Sequence, residues 1–269
     1  MIDVAPRIGT HDVLIMTIDT LRYDVARDAL ASGRTPNLAA VLRGSIWEER
    51  HSPGSFTYSA HHAFFAGFFP TPIDRPKHPR PFAMGFPGSE TIGESTCVLD
   101  APNLVAGLAG RGYHTACVGG VGFFNKLSPL GSTLPALFAE SHWSPELGVT
   151  DPRSTENQVA VAISTLESVP DDRRVLLFLN LSAVHQPNCF YLDGETEDSI
   201  ASHAAALAYL DRHLPPLFRA LRRRGPTFAI VCSDHGTAYG EDGYRGHRLA
   251  HPVVWTVPYA EFLLEESIS

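Results

Sequence analysis

The residues of this chain best suited to chemistry are Asp234 and His235, adjacent in Ser233-Asp234-His235-Gly236. They follow the apolar run Thr227–Cys232, bounded by Gly225-Pro226 and Gly236, whose β-branched and aromatic content predicts a strand buried in a parallel sheet. In open α/β sheets the ligand crevice lies outside the carboxyl ends of the strands, so both side chains are expected to project into it. A carboxylate beside an imidazole suits Zn²⁺ or Mn²⁺, although an aspartate capping the next helix would leave the same tetrapeptide. Two more apolar runs end in polar groups: Asp12–Ile18 leads to Asp19, and Val175–Leu181 leads to His185. Thr57 stands where a small-residue turn, 52–56, enters an apolar helix that closes at Gly67. Asp19, Thr57, Asp234 and His235 together are predicted to hold a divalent cation. The cation meets a chemical need, because a threonine hydroxyl is a poor nucleophile near neutral pH. Metal coordination lowers the pKa of bound water from about 15.7 to about 7, and a coordinated alcohol responds in the same direction. A helix N-terminus beside Thr57 adds roughly half a unit of positive charge facing the alkoxide.

Each residue also has a structural role open to it. Asp19 could cap the following turn, Thr57 could cap its helix with Ser55 or Ser59 as nucleophile, and His185 could bond backbone in the crevice wall. His61 and His62 are suited to orienting the nucleophile helix, while His51 and His114 read as structural and His251 is undecided.

The elements that must position these groups alternate along the chain. Thr35-Pro36 opens a helix that Gly44 ends, with Thr35 as N-cap. Residues 70–88 carry too many prolines for a helix or central strand and predict a long surface loop, of the kind that tends to be functional where it lies over a crevice. A helix over 103–109 and a strand over 113–118 lead to Gly119-Gly120-Val121-Gly122, read as a tight turn approaching the crevice. A helix over 155–168 precedes Val175–Leu181, and a helical period over 200–224 breaks at Pro215-Pro216. A glycine-rich loop with Gly246-His247-Arg248 then leads to a last strand, Thr256–Leu264. Strands alternating with helices predict one domain over 1–269, a three-layer α/β sandwich with a mainly parallel sheet.

The 269 residues are 44% hydrophobic and 19% charged, with a formal net charge of −8. The mildly acidic balance, with no basic run beyond Arg222-Arg223-Arg224, argues against a nucleic-acid partner. Those arginines fit the last turn of a helix. No apolar run reaches the length of a membrane span, and the four cysteines lack CxxC spacing. Free thiols in a reducing compartment, and hence a cytoplasmic location, are expected.

Taken in order, the motifs resemble the alkaline phosphatase superfamily, in its sulfatase-like hydrolase and type I phosphodiesterase branch. Val13-Leu14-Ile15-Met16-Thr17-Ile18-Asp19-Thr20-Leu21-Arg22 resembles the first metal-binding strand and Ser233-Asp234-His235-Gly236 the second. Ala183-Val184-His185-Gln186-Pro187 is similar to a Pro-His-x-Pro segment whose histidine touches the transferred group. Gly246-His247-Arg248 is similar to the segment in which a basic residue contacts substrate. The resemblance therefore implies catalytic roles for Thr57, His185 and His247. Counting back from Gly67 places Thr57 where sulfatases carry the Cys or Ser matured to formylglycine, and His61 where they carry arginine. That route is thus not expected. Thr57-Tyr58-Ser59-Ala60-His61 is closer to the T-x-P-x-H segment of the phosphodiesterases, whose threonine is the nucleophile. Thr20 replaces the second sulfatase aspartate, and no P-D-x-x-G-H segment supplies a full two-metal set, so one Zn or Mn is favoured over two. What the resemblance implies is a metal-dependent hydrolase of small-molecule phosphoric esters. The alternatives are a phosphoryl transferase on the same site or a non-catalytic binding subunit, the latter suggested by a length without the usual carboxyl-terminal subdomain.

Overall fold

The computed structural model describes residues 1–44, 46–67 and 103–265. In chain order the strands are β1 Asp12–Ile18, β2 Glu48–His51, β3 His114–Val118, β4 Glu140–His142, β5 Val175–Leu181, β6 Thr227–Cys232, β7 Ala238–Tyr239, β8 Arg245–Gly246 and β9 Thr256–Leu264. The helices are α1 Tyr23–Ala31, α2 Pro36–Leu42, α3 Thr57–Ala66, α4 Leu104–Ala109, α5 Pro129–Thr133, α6 Ser154–Ser168, α7 Ile200–His213, α8 Pro215–Arg224 and α9 Pro252–Trp255. Seven strands form one sheet in the order β2-β9-β6-β1-β5-β3-β4. The run β6-β1-β5-β3-β4 is parallel, and β9 is antiparallel to both β6 and β2.

The near-continuous apolar runs reflect burial on both faces of the sheet. Leu14, Met16 and Ile18 of β1 join Leu177, Leu179 and Val231 in a core packed against α1, α2, α6, α7 and α8 residues. Val13 and Ile15 join Leu176, Phe178 and Phe228 in a second core with Phe65 of α3 and Leu108 of α4. Period-two alternation thus serves two cores, and the result is the three-layer, mainly parallel sandwich expected from the sequence. The edge strand β2 is exposed throughout and carries Glu48, Glu49 and Arg50, charges that discourage pairing with another chain.

Several local readings change. Thr35 occupies the N-cap position of α2 but its side chain makes no capping bond. The buried Asp211 carboxylate of α7 serves instead, accepting from the amides of Asn37 at 3.1 Å and Leu38 at 2.7 Å, so a tertiary contact replaces the local one. Of the three arginines ending α8, Arg224 is not a surface decoration: it meets the buried Asp12 at 3.2 Å and donates to the Leu166 and Val169 carbonyls. The glycines after β3 allow a close approach to the carboxyl end of β5, since a Cβ on Gly120 would lie 2.4 Å from the Asn180 backbone carbonyl oxygen. α7 and α8 break at the expected prolines. Cys117, Cys189 and Cys232 are free thiols. The 70–88 loop and Cys97 lie outside the described residues. Among the described residues no helix is long and apolar enough to cross a membrane.

Candidate metal centre and nucleophile

β1 and β6 run side by side in parallel, with Thr17 opposite Cys232, so the residues just past their carboxyl ends meet. Asp19 is tied there by its amide, which donates to the Leu181 carbonyl at the end of β5 at 3.0 Å. Past β6, Gly236 is required by a close approach: a Cβ would lie 2.0 Å from the Val253 carbonyl oxygen. Thr57 is the first residue of α3, and the extended Phe56 before it makes no side-chain cap. The start of α3 thus receives no cap from the residue before it, at the point where Thr57 faces the crevice. Ser52 anchors the approach to α3 by donating its hydroxyl to the Asp234 carbonyl.

The Thr57 hydroxyl lies 3.4 Å from Asp19 Oδ2 and 3.3 Å from His235 Nε2. His235 Nε2 is 3.8 Å from Asp19 Oδ1 and 3.4 Å from Asp234 Oδ2. The ligand atoms of Asp19, Asp234 and His235 all fall within 4.8 Å of one another. His235 Nδ1 donates to the Gly236 carbonyl at 2.9 Å, which leaves the Nε2 lone pair facing the cluster.

All three groups are fully buried. Burial pushes Asp19 up to about 6, with repulsion from Asp234 adding to it, and pushes Asp234 up to about 7. Burial also lowers the proton affinity of His235. Asp19 Oδ1 and Asp234 Oδ2 are buried with no hydrogen-bond partner among the described residues. Two carboxylates with inward-facing orphan oxygens, an imidazole lone pair and a hydroxyl make a donor set that fits one divalent cation of the Zn or Mn type.

Supporting groups fix these ligands. Asn180 of β5 donates from Nδ2 to Asp19 Oδ2 at 3.1 Å and to the Thr17 hydroxyl at 3.2 Å, while its side-chain Oδ1 accepts from the Val121 amide. Asp234 Oδ1 accepts from the amides of Thr20 and His235, at 3.2 and 3.0 Å. Thr20 makes the first bond from a left-handed conformation, φ 61°. His61, one turn into α3, donates from Nδ1 to the Thr57 carbonyl at 2.8 Å and accepts at Nε2 from the Thr17 hydroxyl at 3.1 Å. Packed among Phe124 and Phe178 with its pKa pushed down to about 3 by burial, it stays neutral and holds the helix start in place. Sequence reasoning missed Asn180 and Thr17. The available signal was an asparagine inside the otherwise apolar run of β5.

The remaining sequence candidates divide. His185 and His247 are brought to the cluster, with ring centres 5.5 Å apart and His247 4.6 Å from His235. Burial, with the nearby histidines, pushes His247 down to about 3. Ser59 bonds the Phe56 carbonyl at 2.9 Å. His251 caps α9 through the Val253 amide and meets Asp242 at 3.1 Å, His51 stacks on Trp255, and His114 bonds Glu140. These three histidines are structural.

The family model for sulfatases matches residues 11–259. The chain belongs to the sulfatase family. Within the alkaline phosphatase superfamily, its fold is similar to the C-terminal periplasmic domain of EcEptC from Escherichia coli in complex with Zn, with a TM-score of 0.65 at 13% identity over 96% of this chain and 73% of that one. The soluble domain of lipooligosaccharide phosphoethanolamine transferase A from Neisseria meningitidis gives 0.63 at 17% identity, over 94% and 76% of the two chains. The lipoteichoic acid synthase LtaP from Listeria monocytogenes gives 0.62 at 14% identity, over 97% and 66%. No curated protein matches the chain in sequence. This member of the sulfatase family carries Thr57, and not Cys or Ser, at the start of α3.

Proposed function

We propose that this sulfatase-family chain is a metal-dependent enzyme that hydrolyses small-molecule phosphoric esters through Thr57. The observation that carries the reading is the Thr57 hydroxyl at the start of α3, 3.4 and 3.3 Å from Asp19 and His235, beside two buried carboxylate oxygens that have no hydrogen-bond partner among the described residues. Asp19, Asp234, His235 and Thr57 would hold one Zn or Mn. When bound, the cation lowers the pKa of the coordinated hydroxyl and neutralises charge on the transferred phosphoryl group. Thr57 gives up its hydroxyl proton to solvent and its Oγ1 attacks phosphorus as the ester P–O bond breaks in line, while His185 gives the departing oxygen its proton. Neutral His247 orients the phosphoryl oxygens beside it. Water gives a proton back to His185 and cleaves the phosphothreonine P–O bond, releasing phosphate (from a diester, a phosphate monoester), and Thr57 Oγ1 regains a proton from solvent. Similarity to structures titled phosphoethanolamine transferase and lipoteichoic acid synthase favours a second reading, in which an alcohol replaces water at this last step. The three free thiols support a reducing, cytoplasmic setting.

The test is turnover of aryl phosphate monoesters, diesters and sulfate esters with added Mn²⁺ or Zn²⁺, with and without chelator. Phosphoester turnover that chelator abolishes is expected. Thr57→Ala should lower it by several orders of magnitude, at ~1.4 kcal/mol of barrier per factor of ten, and Thr57→Ser should retain a measurable part. Mass spectrometry should find the trapped phosphoryl group on Thr57; finding it on Ser55 or Ser59, or seeing no turnover with metal bound, overturns the reading.

A further inference from the structure

Beside the nucleophile stands an arginine that the reaction proposed above does not use. Arg248 is exposed, yet it is fixed at both ends. Its amide donates to the Ser55 carbonyl at 2.8 Å, on the turn that enters α3. Its guanidinium lies over the Phe56 ring, 5.5 Å from the centroid, and Phe56 immediately precedes Thr57. Phe123 also packs against Phe56, with ring centres 6.0 Å apart, so the ring under the guanidinium has a second aromatic contact. The Arg248 backbone is left-handed, φ 69°, a conformation that costs an ordinary residue on the order of 1 kcal/mol and persists where surrounding contacts impose it. Among the described residues no carboxylate pairs with this guanidinium and no hydrogen bond uses its five N–H groups, whereas buried Arg22 and Arg224 both have acidic partners. A fork stacked on an aromatic face keeps its edges free and loses little freedom when it closes on a planar or tetrahedral anion. The guanidinium lies over the residue that precedes Thr57, and the adjacent His247 ring lies 4.6 Å from His235, so this fork stands near the metal cluster and not on a remote surface.

We propose that Arg248 receives a second anionic group on the substrate, a phosphate or carboxylate beyond the phosphoryl group that Thr57 attacks. This rests on the function proposed above and narrows its substrates to phosphoric esters carrying a further anion. Phe56 and Phe123 are positioning residues for the guanidinium.

The test separates the two ideas by measuring binding apart from turnover. Propylphosphonate, phosphonopropionate and propanediphosphonate, none of them cleavable, are titrated calorimetrically into the Mn²⁺- or Zn²⁺-loaded protein. One or both of the doubly anionic ligands should bind roughly 10- to 100-fold more tightly than propylphosphonate, the range of a charged bidentate contact. Arg248→Ala should remove that advantage and Arg248→Lys should keep part of it. Which of the two acids gains identifies carboxylate or phosphate as the preferred second group. Equal affinities for all three ligands, or an advantage that survives in Arg248→Ala, overturns the inference. Loss of turnover on every ester, with the binding preference intact, would instead strike the hydrolase reading alone.

Discussion

Asp234→Asn should make the metal-free protein more stable while removing its ability to be stabilised by metal. Asp19 and Asp234 are fully buried, with pKa values raised from 3.8 to about 6 and about 7. Below about pH 4 both carboxyls are protonated whether the chain is folded or not, and they add no pH-dependent penalty. Between there and about pH 7 the folded state holds protons that the unfolded state has released, so stability falls as pH rises and the full penalty applies above that window. At ~1.4 kcal/mol per decade, Asp19 contributes roughly 3 kcal/mol and Asp234 roughly 4 kcal/mol. Part of the Asp19 rise is repulsion from Asp234, so the combined penalty is smaller than the sum. An asparagine at 234 keeps the Oδ1 bonds to the Thr20 and His235 amides, and its Nδ2 can donate to His235 Nε2, the neighbour of the orphan Oδ2 at 3.4 Å. The variant should therefore gain roughly 3 kcal/mol at pH 8, about 6–12 °C in Tm for a domain of this size, and little at pH 4. Metal at about a thousand times its Kd should stabilise the parent by roughly 4 kcal/mol and the variant by far less. Thermal unfolding in chelator and in Mn²⁺ or Zn²⁺, at pH 4, 6 and 8, reads all of this. A metal-free parent as stable as the variant at pH 8, or a difference that does not shrink toward pH 4, would refute the reasoning.

Two further outcomes are expected. Asn180→Leu removes the donor to Asp19 Oδ2 while leaving every proposed metal ligand in the sequence, and should weaken metal affinity about 10- to 100-fold in a competition titration while metal is still bound at saturation. Asp211→Ala strips the carboxylate that caps α2 and should cost about 1–3 kcal/mol in denaturant unfolding, with metal affinity unchanged because Asp211 lies on α7, outside the cluster.

Much of the architecture was legible because strand burial leaves a local trace. The runs at β1, β5 and β6 are apolar at nearly every position, and that pattern arises only where both faces are covered. Polar residues interrupting such runs at their carboxyl ends, Asp19 and Asp234-His235, were therefore visible as crevice candidates. Boundaries held where proline or glycine punctuates the chain, as at Pro215. The sequence alone also determined the residue types available to the site: hydroxyl, carboxylates and imidazoles, without the cysteine and arginine of the formylglycine pattern. It did not determine which groups hold them. Asn180 supports Asp19 across 161 positions of chain, and the N-terminus of α2 is capped by Asp211 across more than 170, not by the adjacent Thr35. Arg248 shows the same limit, since in sequence it is one arginine in a polar loop. Only the folded chain sets it on Phe56 with its fork unpaired among the described residues. A hydrogen bond is satisfied by whatever donor the fold brings within about 3 Å, and sequence spacing constrains that choice only within a single element.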